Sequence, residues 1–392
     1  MTAPTIVLCI MNKIDKTRKI IVWLLVIVII VWGGYVLLNK PKPASGESIK
    51  IGVIITGTGV GALQGEWARQ GVELAREEIN AAGGVRGRLI ELIFEDSKTE
   101  LAAAVSAANK LINVDGVKSI IGDSWTSTTV AVEPVINKNG VLLIAPLVTL
   151  DSLSKDDLLF RLMPVTKSMM ESLAHYVYGK MGGGKVAFLS QETTFGVEHV
   201  RDFKAVFESL GGIVVAEESF NIKATDLRSQ IVRVKAAKPD VVFNLHATGP
   251  IMGVLMRQAK ELGLNARWIG SWGSENGSLL REHSDVIEGL VYPYPYNVES
   301  NDPAVQRFVG IYNARYNEPP NFVAASFYDS LKLLAQAIGE VGENTTELKS
   351  YLTSVKDYQG ASGTFSFDEN GDVERPIVIK AVKNGQFVRL EN

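Results

Sequence analysis

Six hydroxyl side chains between residues 120 and 149 could bind a small anion. Five surround the predicted start of a helix near Ser127, and the sixth is expected at the end of the next apolar strand: Ser124, Thr126, Ser127, Thr128, Thr129 and Thr149. A helix start presents unpaired backbone N–H groups and the positive end of the helix dipole, which suit a carboxylate. One hydroxyl would suffice as a helix cap, and that role is the alternative. The number of hydroxyls favours a ligand site.

The surrounding elements are expected to place these hydroxyls at one crevice. An apolar strand ends at Gly122, a helix follows, and a second apolar strand runs to Thr149. Strands and helices alternate from Ile49 onward, in the pattern of a doubly wound α/β protein. Ligands of such sheets bind at the carboxyl ends of the strands. The same alternation is predicted further on, with helices at 169–180, 197–210, 227–236 and 251–262 and strands at 185–190, 213–219, 241–245 and 268–270.

The segment 20–38 is apolar, free of charged residues and long enough to cross a bilayer as a helix. The basic residues before it outnumber those just after it, which predicts a cytoplasmic segment 1–19 and an extracytoplasmic remainder. A cleaved signal peptide has the same order of basic and apolar parts. The long, β-branched apolar core favours an uncleaved, single-pass anchor in the cell membrane, followed by a linker over 39–48.

Composition narrows the classes of partner and fold. The net charge is −3 with 21% charged residues, so the chain lacks the basic balance expected for binding nucleic acid. The one cysteine, Cys9, precedes the apolar segment, so no disulfide is expected in the exported part. The length that follows the linker suits two domains.

Three motifs are rejected on their details. Gly57-Thr-Gly59 lacks the third glycine of a dinucleotide fingerprint, because Ala62 stands there. The stretch 179–185 has phosphate-loop spacing, but a helix precedes it and a strand follows, the reverse of the required order. The acidic stretch 368–372 has too few acids for a calcium shell and predicts a turn between strands.

The four histidines lack metal-ligand spacing, so no cofactor, metal or enzymatic activity is expected.

Five stretches after residue 48 resemble the periplasmic branched-chain amino-acid (Leu/Ile/Val) binding proteins, the class I solute-binding proteins of ABC transporters. They are Ile-Asn-Ala-Ala-Gly-Gly-Val-Arg-Gly-Arg at 79–88, Ile-Gly-Asp-Ser-Trp-Thr-Ser at 121–127, Leu-Ile-Ala-Pro-Leu-Val-Thr at 143–149, Tyr-Asp-Ser-Leu-Lys-Leu-Leu at 328–334 and Gly-Thr-Phe-Ser-Phe-Asp-Glu-Asn-Gly-Asp at 363–372. The resemblance implies the type I periplasmic binding protein fold, in which a three-strand hinge joins two doubly wound α/β domains. It places domain 1 at 49–164 and 297–364, and domain 2 at 165–296 and 365–392.

The resemblance also implies that the cleft between the domains closes on a solute. Thr126 and Thr149 would hold its carboxylate, the Leu147 carbonyl would accept from its ammonium, and Phe195 would form an aromatic lid. Together with the other hydroxyls at the helix start, the expected ligand-binding residues are Gln64, Ser124, Thr126, Ser127, Leu147, Thr149, Phe195, Thr248, Trp272 and Glu275.

One position departs from the family pattern. Members have a glutamate for the solute ammonium where Trp272 stands here, and Glu275 lies slightly further along the chain. Burying an ammonium without a carboxylate partner is costly. An amino acid of the branched-chain type is the expected solute, with an amide, urea or an aromatic acid as the alternative. For Trp272, the sequence favours packing in the core of the second domain and contact with the solute equally.

These features predict a membrane-anchored extracytoplasmic solute-binding protein that delivers a small polar solute to an ABC permease. The same fold and cleft serve sensory ectodomains that signal to a separate partner protein. That sensory role is the second hypothesis, and a neighbouring permease or kinase gene would separate the two.

Overall fold

The structure is a computed structural model that describes residues 46–246 and 249–390. Two sheets, whose strands alternate with helices along the chain, make up most of it. The helices are α1 Ala62–Ala81, α2 Leu101–Asn113, α3 Thr126–Asn139, α4 Thr166–Gly179, α5 Thr194–Ser209, α6 Arg228–Ala236, α7 Gly249–Glu261, α8 Gly277–Ile287, α9 Pro303–Tyr316, α10 Phe322–Val341 and α11 Thr345–Thr353. The predicted anchor at 20–38 lies outside the described residues. Within them, no helix is both long enough and apolar enough to cross a membrane.

The first sheet has five parallel strands in the order β2-β1-β3-β4-β5. Their bounds are β1 Ile49–Ile55, β2 Ile90–Asp96, β3 Ser119–Ile121, β4 Leu142–Ala145 and β5 Leu159–Arg161. Strands β3 and β4 are buried throughout, because helices cover both faces of a parallel sheet. Helix α10 lies against α1 so closely that a Cβ on Gly71 would be 2.1 Å from the Ala324 carbonyl oxygen. We call this sheet with its helices the first lobe.

The second sheet has seven strands in the order β15-β14-β10-β9-β8-β6-β7. Its strands are β6 Lys185–Gln191, β7 Ile213–Phe220, β8 Val241–Leu245, β9 Arg267–Gly270, β10 Val291–Tyr294, β14 Val378–Lys383 and β15 Gln386–Arg389. The first five are parallel, and the C-terminal hairpin β14-β15 adds antiparallel to β10. We call this sheet with its helices the second lobe.

The chain passes between the lobes after β5, after β10 and through a small antiparallel sheet of β11 Tyr358–Gly360, β12 Gly363–Phe367 and β13 Val373–Glu374. Arg161, which is fully buried, connects two of these passages. Its backbone N–H donates to the Gly371 carbonyl at 3.0 Å, and its side chain pairs with Asp372 and donates to Ser154 Oγ at 2.7 Å. The predicted turn at 368–372 is confirmed, since Asp368 Oδ1 accepts from the backbone N–H of Asp372 at 2.9 Å.

The first residues of the described chain are fixed to the first lobe. Arg88 donates to the carbonyl of Glu47 at 2.7 Å and to that of Ser48 at 3.2 Å. The same guanidinium pairs with Glu343, between α10 and α11. Residues 47–48 are therefore held before β1 begins.

Candidate functional site

The start of helix α3 lies at a small cavity between the two lobes, which we call the inner cavity. Its volume is about 20 Å³. It is lined by Gln64, Ser124, Trp125, Thr126, Ser127 and Leu147 from the first lobe, and by Gln191, Thr193, Phe195 and Trp272 from the second. Most of the residues predicted to bind the solute therefore meet at one point. None of the described residues that line it is ionisable.

The hydroxyls around α3 divide into two groups. The hydroxyls of Thr128 and Thr129 donate to the Trp125 carbonyl at 2.9 and 3.0 Å, and Ser124 Oγ accepts from the backbone N–H of Thr56 at 3.2 Å. The alternative interpretation as a helix cap is wrong, because no side chain caps α3. Thr126, Ser127 and the unpaired N–H groups of the first turn are thus left for a ligand.

Asp123, directly before this loop, is fully buried. Burial raises the pKa of its carboxyl to about 6, although hydrogen bonds from Ser97 and Ser124 act in the opposite direction. The carboxylate lies within the first lobe and does not line the inner cavity.

The glycine-rich loop after β1 packs against the same region. A Cβ on Gly65 would lie 2.1 Å from the Thr56 carbonyl oxygen, and one on Gly61 would lie 3.1 Å from the Trp125 ring. These glycines allow the start of α1 to approach β1 closely and bring Gln64 to the inner cavity.

Thr149 does not end a strand as predicted. Strand β4 ends at Ala145, because Pro146 follows and has no N–H to continue the ladder. Thr149 lies in the loop beyond, is fully buried, and its carbonyl accepts from the backbone N–H of Thr166 at 2.7 Å. Its Oγ1 has no hydrogen-bond partner among the described residues. Thr149 does not line the inner cavity, but a buried hydroxyl without a partner is costly, so we expect it to contact a bound solute.

Replacing Thr149 with alanine should weaken binding of a carboxylate solute by about tenfold or more, through loss of one charge-assisted hydrogen bond. Calorimetry on the purified protein would measure it. Thr129→Ala is the matched control, since that hydroxyl is used within α3. Unchanged affinity in Thr149→Ala would remove Thr149 from the site.

The second lobe contributes Phe195 at the start of α5. His199 Nδ1–H donates to the Phe195 carbonyl at 2.8 Å, and the two rings lie 3.9 Å apart between centroids. Burial lowers the pKa of His199 to about 4, so this histidine is neutral at pH 7 and positions Phe195. Within residues 46–246 and 249–390, no group of three or more His, Cys, Asp and Glu side chains could hold a metal ion.

Gln191 and Thr193 were missed by the sequence interpretation. Gln191 ends β6, and its side-chain amide donates to Thr193 Oγ1 at 2.7 Å. Thr193 in turn caps α5 by accepting from the Gly196 N–H. The rule that pointed to Ser124, a polar residue just after a strand, would have found them. Thr248 lies outside the described residues.

Trp272 and Glu275 differ in their surroundings. Trp272, which is 8% exposed, lines the inner cavity, and its Nε1–H has no partner within the described chain. Glu275 accepts from Lys380 Nζ and from the Tyr292 hydroxyl. Burial raises the pKa of Glu275, although Lys380 and Tyr292 act in the opposite direction. Its charge is therefore already compensated, and it lies outside the inner cavity.

A second cavity of about 240 Å³ adjoins the inner cavity, and we call it the apolar chamber. Gln64 and Trp272 line both. The remaining wall is Val60, Leu63, Trp67, Ile251, Gly273, Glu275, Asn276, Tyr294, Asn321 and Val323. The small inner cavity, with its polar lining, thus adjoins a larger and mainly apolar space.

The fold and these cavities define a two-lobed α/β protein with a ligand cleft between its lobes. The model of the periplasmic binding protein family matches residues 48–386, and the chain belongs to this family. The resemblance predicted from the sequence is thereby confirmed.

Relatives within the family agree over nearly the whole described chain. The leucine-, isoleucine-, valine-, threonine- and alanine-binding protein of Pseudomonas aeruginosa is 28% identical over 330 residues, covering 84% of this chain and 88% of that protein. The leucine-binding protein LivK of Thermotoga maritima has a TM-score of 0.83 at 25% identity, over 88% of this chain and 98% of that one. LivJ of Streptococcus pneumoniae, solved with isoleucine, has a TM-score of 0.79 at 26% identity, over 88% of this chain and 100% of that one.

Proposed function

We propose that this chain is an extracytoplasmic solute-binding protein of an ABC importer that captures an amino acid of the branched-chain type by closing its lobes. The observation that carries the proposal is the uncapped start of α3, with Thr126 and Ser127, at a cavity lined by both lobes. The names of its relatives support the class of solute. Closure would create the surface that a permease recognises.

The proposal includes attachment to the cell membrane through the segment 20–38, with both lobes outside the cell. The uncharged apolar run and the preceding basic residues support it. Fractionation of cells that express the full chain, compared with a chain that begins at Ala44, would test it. Release of the full chain with the soluble fraction would contradict it.

The two cavities suggest how an amino acid would lie. Its carboxylate would accept from the first turn of α3, and its ammonium would donate to the Leu147 carbonyl and to Gln64 Oε1. That oxygen is buried and lacks a partner among the residues described. The apolar side chain would extend past Trp272 into the apolar chamber.

The pairing of Glu275 favours a second candidate, a carboxylate without an ammonium group. A buried ammonium needs a compensating acid. The nearby acid is already bonded to Lys380 and Tyr292, and the inner cavity is lined by neutral side chains. An aliphatic or aromatic acid would avoid the cost of burying the ammonium.

Leucine and 4-methylpentanoate separate these candidates, because they differ only in the amino group. Calorimetry should show leucine binding more tightly than the acid if the protein is an amino-acid receptor. Tighter binding of the acid would favour the second candidate. Binding of neither, while leucinamide or urea binds, would reject the carboxylate site at α3.

The two lobes also meet at a cluster of acidic residues outside the cavities. The Asp151 N–H of the first lobe donates to Glu198 Oε2 of α5 at 3.3 Å, and Arg201 Nη2 donates to Asp151 Oδ2 at 3.1 Å. Burial raises the pKa of Asp151 to about 6, and the Asp202 carboxylate beside it acts in the same direction. Separation of the lobes would remove these neighbours.

Solute affinity should therefore increase as the pH falls from 7 to 5, by about three- to tenfold. The closed protein takes up a proton on Asp151 below about pH 6, whereas an open one, with an ordinary pKa near 4, does not. Protonation thus favours closure. Calorimetry with leucine, whose carboxylate stays ionised over this range, would measure the change. Asp151→Asn should flatten the dependence, and an equally steep profile in that variant would assign it to another group such as Glu198, whose pKa burial also raises.

A further inference from the structure

A cleft beside the hinge shares no lining residue with the inner cavity or the apolar chamber. Tyr296 and Asn297, in the passage that follows β10, form one side of it, and Arg375, directly after β13, forms another. Val305 of α9 and Arg389 of β15 add one contribution from each lobe. We call this space the hinge cleft. A ligand bound in it would contact both lobes at the point where they are joined.

Arg375 is a largely buried cation whose hydrogen bonds reach neutral groups. Its guanidinium carbon lies 5.2 Å from the ring centroid of Phe322 and 4.9 Å from that of Phe365. Nη1 donates to the Ser362 carbonyl at 3.2 Å and Nη2 to the Ser362 hydroxyl at 3.0 Å, while Nε has no partner among the described residues. Burial lowers the pKa of Arg375 to about 10, although the Asp329 carboxylate acts in the opposite direction. Arg375 is therefore charged at pH 7, and an anion beside it would offset the cost of its burial.

Tyr296 is a second, independent sign of a ligand. It is 2% exposed, and its hydroxyl has no hydrogen-bond partner in the part of the chain that the structure describes. A buried tyrosine hydroxyl usually has such a partner. Arg389, which is exposed, lines the same cleft and brings a second guanidinium to it. Because guanidinium groups match the spacing of oxyanion oxygens, these donors suit a small oxyanion.

Asp302, at the start of α9, narrows the choice of oxyanion. It also lines the hinge cleft, where its Oδ1 accepts from the Ala304 N–H at 2.8 Å and its Oδ2 accepts from the Thr364 hydroxyl at 3.4 Å. A carboxylate repels a fully ionised anion, but it can accept a hydrogen bond from an oxyanion that carries a hydrogen. Near neutral pH phosphate carries such a hydrogen and sulfate does not. The cleft therefore favours phosphate over sulfate.

From these observations we propose that the hinge cleft binds inorganic phosphate, and that bound phosphate stabilises the arrangement of the lobes described above. Arg375, Arg389 and the Tyr296 hydroxyl donate to the phosphate oxygens, and the phosphate hydroxyl donates to Asp302. A ligand that binds one arrangement of the lobes more tightly than another shifts the population towards it. The phosphate site is independent of the proposed function, whereas its effect on solute affinity rests on that function.

Calorimetry on the purified full-length chain tests the site directly, with phosphate and sulfate titrated separately at constant ionic strength and without solute. Phosphate should bind at least about fivefold more tightly than sulfate, because only phosphate can donate to Asp302. No binding of phosphate at millimolar concentration, or equally tight binding of sulfate, would overturn the proposal. Titrations with leucine are separate, so a failed phosphate site leaves the proposed function standing.

The effect on the lobes is measured by titrating leucine with and without saturating phosphate. Leucine affinity should rise by about fivefold when phosphate is present. Phosphate that binds without changing the affinity for leucine would overturn the coupling between the two sites.

Three variants locate the phosphate at the hinge cleft. Tyr296→Phe removes an oxygen that has no partner among the described residues, so stability without phosphate should be unchanged, while phosphate affinity should fall by about tenfold. Tyr316→Phe is the matched control, because that hydroxyl donates to the Gln70 carbonyl at 3.2 Å outside the cleft. Asp302→Asn keeps an oxygen that can cap α9 and should let sulfate bind as tightly as phosphate. Phosphate affinity that is equal in Tyr296→Phe and Tyr316→Phe would overturn the assignment to this cleft.

Discussion

Replacing Arg161 with methionine should lower the free energy of unfolding by about 3–5 kcal/mol. The guanidinium is fully buried, and it pairs with Asp372, donates to the Leu150 carbonyl and bonds Ser154 Oγ at 2.7 Å. Methionine would leave Asp372, which is 7% exposed, without its cationic partner. An uncompensated buried carboxylate is more costly than the ion pair itself. Because Arg161 also joins two of the passages between the lobes, the loss affects the hinge.

Urea unfolding followed by circular dichroism would measure this loss. Arg257→Met is the matched control, since Arg257 makes a two-pronged pair with Asp285 at 2.9 and 2.8 Å on the surface. Exposed pairs contribute up to about 1 kcal/mol. Equal losses in the two variants would mean that burial of the Arg161 pair has no special importance.

Replacing Gly122 with alanine should destabilise the protein by about 2–5 kcal/mol and weaken solute binding by about tenfold or more. Gly122 has φ +123°, and its Cβ would lie 2.0 Å from the Ile54 carbonyl oxygen on β1. Since β1 and β3 are adjacent central strands, neither can move aside without disturbing the sheet. The loop that follows carries Thr126 and Ser127, so displacing it moves the start of α3 away from the inner cavity.

Gly140→Ala provides the control at the opposite end of the same helix. Gly140 has φ +63°, and its Cβ would meet nothing within 4 Å. Only the left-handed backbone conformation is penalised there, at about 1 kcal/mol. Solute affinity should be unchanged in this variant. If Gly122→Ala bound solute as tightly as Gly140→Ala, the loop after β3 would not position the site.

Local sequence signals were sufficient for much of the fold. The predicted bounds of β8 match the structure, because its apolar residues form one uninterrupted run with clear ends. Helix α5 begins at Thr194 instead of 197, since the Thr193 side chain caps it three residues before the apolar face begins. Strand β4 ends before Thr149 because Pro146 interrupts it. These differences come from capping and proline, which act at single residues and are less visible than periodicity.

The candidate site was less accessible to sequence analysis, because its contacts join distant parts of the chain. The cationic partner of Glu275 is Lys380, on a hairpin strand that reaches β10 only after the chain has left the second lobe and returned. Likewise, the apolar chamber combines Trp67 of α1, Ile251 of α7 and Val323 of α10. Neither spacing nor composition indicates such pairings. The hydroxyls of α3 were found because they are consecutive in the sequence.

The hydrogen bonds from Arg88 to the carbonyls of residues 47 and 48 have a mechanical consequence. Under the proposed anchoring, tension in the chain ahead of β1 would be borne by the first lobe through Arg88 and Glu343. The second lobe is joined to the first by the three passages and by the contacts of Asp151 with α5, so its movement does not load residues 47–48. Closing the lobes on a solute would then require no work against the membrane attachment. The linker ahead of residue 47 could be lengthened or shortened by several residues with no change in solute affinity.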